Sequence, residues 1–184
     1  MSVIKSVLIA NRGEIAIRIS KTLNDMGIES YGIYSKDDSS STHLSYCSKV
    51  FELKGTGPSS YLNIDEIISI TKNNNIEAIH PGYGFLSENL KFAAACLKNH
   101  IVFIGPSEKT LKIFGDKEKA KKLAQKLDLP TCLSAGPIKN ETDILRFFKK
   151  IKRNKIILKA NFGGGGRGSR IVHKSENASE VLSL

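Results

Sequence analysis

The sequence predicts a doubly wound α/β fold for residues 1–112, followed by the beginning of an α+β domain over residues 113–184. Two observations support this division. Short apolar runs alternate with amphipathic helices over the first 105 residues, and parallel strands need helical crossovers of about a dozen residues. Beyond Gly105 and Pro106 the chain changes to lysine-rich helices and a strand pair. We therefore expect a ligand-binding edge at the carboxyl ends of the parallel strands.

The elements of the first domain follow from the spacing of apolar residues, which recur three or four positions apart in helices and form short runs in buried strands. The strands are predicted at 6–10, 31–34, 50–53, 77–80 and 101–104, and the helices at 14–24, 63–72 and 88–98. Gly27 is expected to stop the first helix, and Ser87 is expected to cap the third. Residues 36–42 are predicted to form a polar loop.

The elements of the second domain are predicted from caps and helix breakers. Ser107 and Asp116 are expected to cap two successive helices, and Pro130, with Leu129 before it, is expected to end the second. The helices are predicted at 107–114, 116–127 and 143–152, and the strands at 155–160 and 170–172. The two strands are expected to form a hairpin, and a further helix is expected to begin at Ser175.

The net charge of +10 is concentrated in one segment, because residues 108–155 carry 14 Lys/Arg against 6 Asp/Glu and the remainder carries 14 against 12. Such a segment attracts polyanions, either nucleic acid or a nucleotide triphosphate, unless it is only a solvated helix face. No apolar run approaches the roughly 18–20 residues of a membrane span. The sequence shows no charged-then-apolar leader, which predicts a cytoplasmic or mitochondrial-matrix protein.

The cysteines and histidines show neither metal-ligand spacing nor a disulfide framework. Cys47, Cys96 and Cys132 are expected to be mostly buried small hydrophobic residues in a reducing compartment. His43, His100 and His173 are expected to be surface or incidental residues. The sequence therefore predicts no metal site among these residues.

The strongest motif is the loop 161–169 between two predicted strands, in which five of nine residues are glycine. Ordering glycine costs more conformational entropy than ordering other residues, and successive bare backbone amides favour phosphate oxygens. Lys159 precedes the loop and Lys117 begins a predicted helix, so both are candidate phosphate ligands. The alternatives are that the loop is a flexible glycine linker and that the lysines are ordinary surface residues. The four consecutive glycines are Gly163, Gly164, Gly165 and Gly166.

Two further motifs lie at the predicted binding edge. In residues 80–89, Pro81 and the glycines indicate a tight turn. His80, Tyr83 and Glu88 in this stretch either line a cleft or belong to a rigid corner. Arg12 lies at the amino end of the first helix, where a cation opposes the helix dipole. We expect it to bind an anion, or to pair with Glu14 or with a carboxylate of the other domain.

Six stretches together resemble the amino-terminal part of a biotin carboxylase, the ATP-dependent component of acyl-CoA, pyruvate and urea carboxylases. They occur in order and span nearly the whole chain: VLIANRGEIAIR at 7–18, SYLNI at 60–64, HPGYGFLSEN at 80–89, FIGP at 103–106, GDK at 115–117 and KANFGGGGRG at 159–168. The resemblance implies a Rossmann-like pre-ATP-grasp domain followed by the start of an ATP-grasp domain.

The resemblance also implies a chemistry: ATP and bicarbonate form carboxyphosphate, and the CO2 released from it carboxylates biotin on a carrier domain. By motif, Lys117 and Lys159 match the family's phosphate-binding lysines, and 163–166 its glycine loop. Mg2+ or Mn2+ ligands and the catalytic base are expected beyond residue 184, so the chain alone is expected to be inactive. The implied partners are the carrier, a carboxyltransferase and a second copy, with dimer contacts near Lys21 and Asp25.

Two alternatives to a biotin carboxylase remain at this point. One is another ATP-grasp ligase acting on a carboxylate or amine, which the stretches at 11–14 and 80–85 disfavour. The other is a non-catalytic nucleic-acid-binding module, suggested by the basic segment. Phe147 and Phe148 are the only aromatic pair near its lysines, and a basic helix usually buries such a pair instead of stacking it on bases.

Overall fold

A computed structural model of the chain describes residues 3–151, 153–159 and 169–174. The chain divides into two compact units, Met1–Lys112 and Ile113–Leu184, which we call the first and second units. Among the described residues, no helix is both long and apolar enough to cross a membrane.

The first unit is built on a five-stranded parallel sheet with the order β3-β2-β1-β4-β5. The strands are β1 (Ser6–Ile9), β2 (Glu29–Ser35), β3 (Lys49–Leu53), β4 (Ala78–His80) and β5 (Val102–Phe103). All five lie within two residues of the predicted positions. The chain winds outward from β1 to β3 and then returns to the other side of β1, so the point where the direction reverses lies between β1 and β4.

Helices cover both faces of this sheet: α1 (Gly13–Asp25), α2 (Ile64–Asn73) and α3 (Leu90–Lys98). Within β1, Leu8 packs into the cluster that contains residues of α2 and α3, whereas Val7 and Ile9 pack with residues of α1. All four residues of β1 are buried, as expected for a central strand covered on both faces. The predicted doubly wound fold is confirmed.

Asparagines cap two of these helices. Asn63 Oδ1 accepts a hydrogen bond from the Glu66 backbone N–H at 3.2 Å, and Asn89 Oδ1 accepts one from Phe92 at 3.1 Å. The prediction that Ser87 caps α3 is therefore wrong, because the helix begins two residues later than expected and the cap moves with it. Gly27, with φ +69°, follows the end of α1 as predicted.

The predicted polar loop at 36–42 is more ordered than expected. It contains a 3-10 helix at Lys36–Asp38 and leads into a second one at Thr42–Tyr46. Asp38 and His43 are both buried, and His43 Nε2 lies 3.2 Å from the Ile33 carbonyl oxygen. The prediction that His43 is a surface residue is wrong, since its segment packs against α1 and β2.

The second unit contains α5 (Lys117–Lys126), α6 (Glu141–Ile151), β6 (Lys155–Lys159) and β7 (Ser169–His173), preceded at the unit boundary by α4 (Glu108–Phe114). Ser107 caps α4 through Thr110, and Asp116 caps α5 by accepting from the backbone of Glu118 and Lys119, both as predicted. The helix α5 ends at Lys126, one residue before the predicted end at 127, and Asp128 then adopts φ +54°, before Leu129 and Pro130.

The strands β6 and β7 form the predicted antiparallel hairpin. One of its faces packs against α6 in a small core of Ile144, Phe148, Ile156 and Val172. Phe148 is thus a core residue, as the sequence suggested for an aromatic residue on a basic helix. The expected helix from Ser175 lies outside the described residues.

Candidate functional site

The crevice between β1 and β4 is closed by the protein's own side chain. Asn11 is buried, and its Nδ2 donates hydrogen bonds of 2.8 Å to the carbonyl oxygens of both Pro81 and Tyr83. A Cβ on Gly82 would lie 2.7 Å from Asn11 Nδ2 and from Ile15. This crevice is the usual ligand position in a doubly wound sheet. Here Asn11 and the 80–85 turn occupy it, which supports the interpretation of this stretch as a rigid corner.

His80 stabilises the same turn. Its Nδ1 accepts a hydrogen bond from the Gly82 backbone N–H at 3.0 Å, so the proton of the neutral ring resides on Nε2. Burial lowers the pKa of His80. His80 is therefore neutral near pH 7. Tyr83 and Glu88 are exposed.

The turn ends in a strained aromatic residue. Phe85 adopts φ +38°, which is costly for a bulky side chain, and its ring stacks on Tyr61 with 5.0 Å between centroids. Tyr61 is fully buried and belongs to the 3-10 helix Pro58–Leu62. The corner is thereby fixed to the segment that follows β3.

Arg12 pairs with a carboxylate that the sequence analysis did not identify. Its Nε and Nη2 donate to the two oxygens of Asp38, a bidentate arrangement. The expected partners, Glu14 and a carboxylate of the other domain, are not the ones observed. Asp38 accepts from two of the five N–H groups of the Arg12 guanidinium, and the Arg12 side chain remains 44% exposed.

Asp38 is held by further donors. Tyr61 donates from its hydroxyl at 2.7 Å and Ser41 from its hydroxyl at 3.0 Å. The hydrogen bonds from Arg12 hold the pKa of Asp38 well below its usual range, and Asp38 raises that of Arg12. Burial and the bond to Asp38 raise the pKa of Tyr61 to about 12. This cluster links the ends of β1 and β2 and is structural.

The hairpin of the second unit presents one face to solvent. The register places Lys155 opposite His173, Ile157 opposite Ile171, and Lys159 opposite Ser169, and all six residues are exposed. We call this set the hairpin face. Cations occupy both ends of it, and an apolar pair lies in the middle, with 58% and 54% of Ile157 and Ile171 accessible. A surface with an exposed apolar pair beside a cation can bind an anion that has a flat apolar part.

Of the predicted site residues, Lys159 and Lys117 are described. Lys159 is the last residue of β6 and is exposed, at the end of the hairpin where residues 160–168 connect the strands. Lys117 is the exposed first residue of α5, next to Asp116, whose pKa is lowered by its ion pair with Lys119. Residues 163–166 lie outside the described part of the chain.

Neither metal nor disulfide chemistry is evident in the described residues. No group of three or more His, Cys, Asp or Glu side chains there could hold a metal ion. The cysteines are free, but Cys132 is exposed, so the expectation that the thiols are mostly buried fails for the residue on the extended segment after α5. Cys96 is buried and Cys47 is half-buried.

Two sequence families match the chain consecutively. Residues 3–111 match the family described as "Biotin carboxylase, N-terminal domain", and residues 116–184 match "Carbamoyl-phosphate synthase L chain, ATP binding domain". Pyruvate carboxylase of Bacillus subtilis is 43% identical over 181 residues, covering 97% of this chain and 16% of that protein. Biotin carboxylase of a Nostoc species is 42% identical, covering 92% of this chain and 38% of that protein.

Solved structures give the same picture. A Campylobacter jejuni biotin carboxylase in a β-γ-ATP complex superimposes with a TM-score of 0.89 at 40% identity, covering 98% of this chain and 40% of that one. The biotin carboxylase domain of Hydrogenobacter thermophilus 2-oxoglutarate carboxylase, a dimer with MgADP, ADP and bicarbonate, has a TM-score of 0.89 at 37% identity. It covers all of this chain and 40% of that chain.

Proposed function

This chain belongs to the biotin carboxylase family, and we propose that its second unit binds the ATP used to carboxylate biotin. The alternatives of a different ATP-grasp ligase or a nucleic-acid-binding module are not favoured, since the family match covers residues 3–111 as well as the ATP-binding domain. The chain spans 16% of the B. subtilis relative and 38% of the Nostoc one, so the complete activity is part of the proposal.

The observation that carries this proposal is the hairpin face. Ile157 and Ile171 form an apolar platform for the nucleotide base. Lys159 belongs to the next exposed residue pair along the hairpin face, and the phosphates are proposed to lie beside it. Successive residue pairs on one face of a strand are about 7 Å apart, a spacing that fits a base and its phosphate groups. The exposed isoleucines are otherwise an unexplained apolar pair on a basic unit.

Within this proposal, each predicted site residue has a defined role. Lys159 and Lys117 supply point charges to the phosphate oxygens, and the backbone amides of 163–166 donate hydrogen bonds to the same oxygens. The nucleotide supplies the phosphoryl group that activates bicarbonate. The lysines and amides position that group and stabilise its charge in the transition state.

The remaining components of the reaction are also proposed. The Mg2+ ligands are proposed to lie in the part of the family fold beyond residue 184. Bicarbonate, a biotin carrier domain and a carboxyltransferase complete the reaction, and Lys21 and Asp25 on α1 are the proposed homodimer contacts. Relatives of this chain include the B. subtilis pyruvate carboxylase and a human pyruvate carboxylase named as mitochondrial, and we propose a cytoplasmic or mitochondrial-matrix location.

The test measures the binding of ADP to the 184-residue chain by isothermal titration calorimetry. We expect Lys159→Ala to weaken ADP binding at least tenfold, because a point charge at the phosphates is lost. Lys149→Ala, an exposed lysine on α6 in the same unit, is the matched control and is expected to bind ADP like the wild type. Equal affinity of the two variants would contradict the proposal.

A further inference from the structure

The opposite end of the hairpin carries a separate cationic cluster, which consists of Arg153, Lys155, His173 and Lys174. Lys155 and His173 are register partners. Beyond this pair, the backbone amide of Lys174 donates a hydrogen bond of 2.9 Å to the Asn154 carbonyl oxygen, so the start of β6 and the end of β7 lie close together. Arg153, Asn154, Lys155 and His173 line a surface cavity of about 480 Å3. This cavity is large enough for a tetrahedral oxyanion.

None of the ion pairs found among the described residues involves Arg153, Lys155, His173 or Lys174. The described residues that line the cavity are Arg153, Asn154, Lys155 and His173, and none of these four is acidic. Side chains of directly opposed strand residues have Cβ atoms about 5 Å apart, so Lys155 and His173 lie side by side.

The dipole of α6 explains only part of this arrangement. Lys149 and Lys150 lie in the last turn of α6, where cations are favourable, and Arg153 follows shortly after. Lys155 and His173 lie on the strands, on the hairpin face, and have no such explanation. An anion bound there would neutralise the positive charge that Arg153, Lys155 and Lys174 concentrate at this end of the hairpin.

We propose that this cluster is a binding site for a phosphate-bearing small anion, separate from the nucleotide site. Arg153 supplies several donors in a fixed fork, Lys155 a point charge, and Asn154 a neutral donor, which together suit tetrahedral oxyanions. The nucleotide phosphates are assigned to Lys159, four residues along the strand and therefore about 14 Å away. The two sites are too far apart to hold one phosphate group.

The experiment is an NMR titration of the 184-residue chain with sodium sulfate against sodium chloride of equal ionic strength. Sulfate is chosen because it does not change charge over the near-neutral pH range. We expect saturable shifts at Asn154, Lys155 and His173, the described residues that line the cavity together with Arg153. Absence of saturable binding would overturn the proposal.

Two double variants with the same change in net charge distinguish a specific binding site from non-specific electrostatic attraction. The double variant Arg153→Glu, Lys155→Glu is expected to weaken sulfate binding at least tenfold. The matched control Lys91→Glu, Lys98→Glu carries the same charge change on α3 and is expected to bind normally. Equal losses in both would overturn the proposal, and amide dispersion verifies that each variant is folded.

A second titration uses sulfate in the presence of saturating ADP. Sulfate shifts at the cluster are expected to persist, since the nucleotide phosphates are assigned to the other end of the hairpin. Displacement of sulfate by ADP would show a single shared site and overturn the proposal. Failure of ADP to bind at all would contradict the proposed function while leaving the sulfate result unaffected.

Discussion

The Arg12 guanidinium forms two hydrogen bonds with the Asp38 carboxylate, which lies 26 residues away in sequence and is 7% exposed. Arg12 follows β1 and Asp38 follows β2, so the pair joins two neighbouring strand ends. Because Arg12 remains partly exposed, the desolvation cost falls mainly on the aspartate. The pair therefore converts an unfavourable cation at the start of α1 into a stabilising contact.

We predict that Asp38→Asn destabilises the first unit by about 2 kcal/mol at pH 7, because hydrogen bonds to a charged group contribute about 1.5–3 kcal/mol. The pKa of Asp38 is depressed in the folded state, so its contribution is fully present above the usual pKa of an aspartate, about 4. It is lost as the pH falls below that value. Urea unfolding followed by circular dichroism should show the wild-type advantage shrinking from pH 5 to pH 3.

Tyr61→Phe is the accompanying control for this cluster. It removes the hydrogen bond to Asp38 and the one that the hydroxyl accepts from the Ser35 backbone N–H, and it keeps the ring that stacks on Phe85. A loss of about 1–3 kcal/mol is expected, because a buried backbone donor loses its partner. The acid dependence of stability should remain, since the Arg12–Asp38 pair is intact. A pH profile of Asp38→Asn that parallels the wild type from pH 5 to pH 3 would show that Asp38 is not the group responsible.

Asp38 and His43 illustrate what the sequence could not predict. The strands and α-helices around them were predictable because apolar spacing is a local signal, and each predicted strand and helix of the first unit was found within a few residues, whereas its 3-10 helices were not predicted. The segment 36–42 was predicted as a polar loop from composition alone. Asp38 is buried because Arg12 and Tyr61 bind it. The order of the strands in the sheet brings these two residues close to Asp38, and the sequence next to Asp38 does not.

The corner formed by residues 80–85 offers a test with a built-in control. We predict that Gly82→Ala is more destabilising than Gly84→Ala by about 1–3 kcal/mol, the usual cost of overpacking. Both glycines adopt positive φ and share the backbone penalty, but only a methyl group at position 82 meets Asn11 and Ile15, at 2.7 Å. Thermal unfolding of the two variants gives the comparison. Equal destabilisation would show that Asn11 can move aside at little cost.

Thiol reactivity should report the different environments of the three cysteines. The thiolate is the reactive form, and burial raises the pKa of Cys96 to about 12 and that of the half-buried Cys47 by a smaller amount. We expect one fast-reacting thiol with a disulfide reagent in the folded chain, the exposed Cys132. Cys132→Ser should remove the fast phase and leave the slow ones. A fast phase that survives this substitution would place an accessible thiol elsewhere.

The candidate nucleotide site was only partly predictable. Lys117, Lys159 and the glycine loop stood out because a cation beside a glycine run is a local signal with a direct link to phosphate binding. Ile157 did not stand out, since alternate residues of a short apolar strand look alike in sequence. Only the register with β7 and the packing of Ile156 against α6 show which of them remains exposed.

The apolar platform gives the sharpest prediction for nucleotide binding. Ile157→Glu is expected to weaken ADP binding at least tenfold, because a carboxylate would replace the apolar surface under the base and repel the phosphates. Leu145→Glu makes a similar change at an exposed residue of α6, 44% accessible, and should leave ADP affinity unchanged. Both sites are at the surface, so stability should change by only about 0.5 kcal/mol in each. Calorimetric titration with ADP measures the difference, and comparable losses in the two variants would assign the effect to net charge and remove Ile157 from the site.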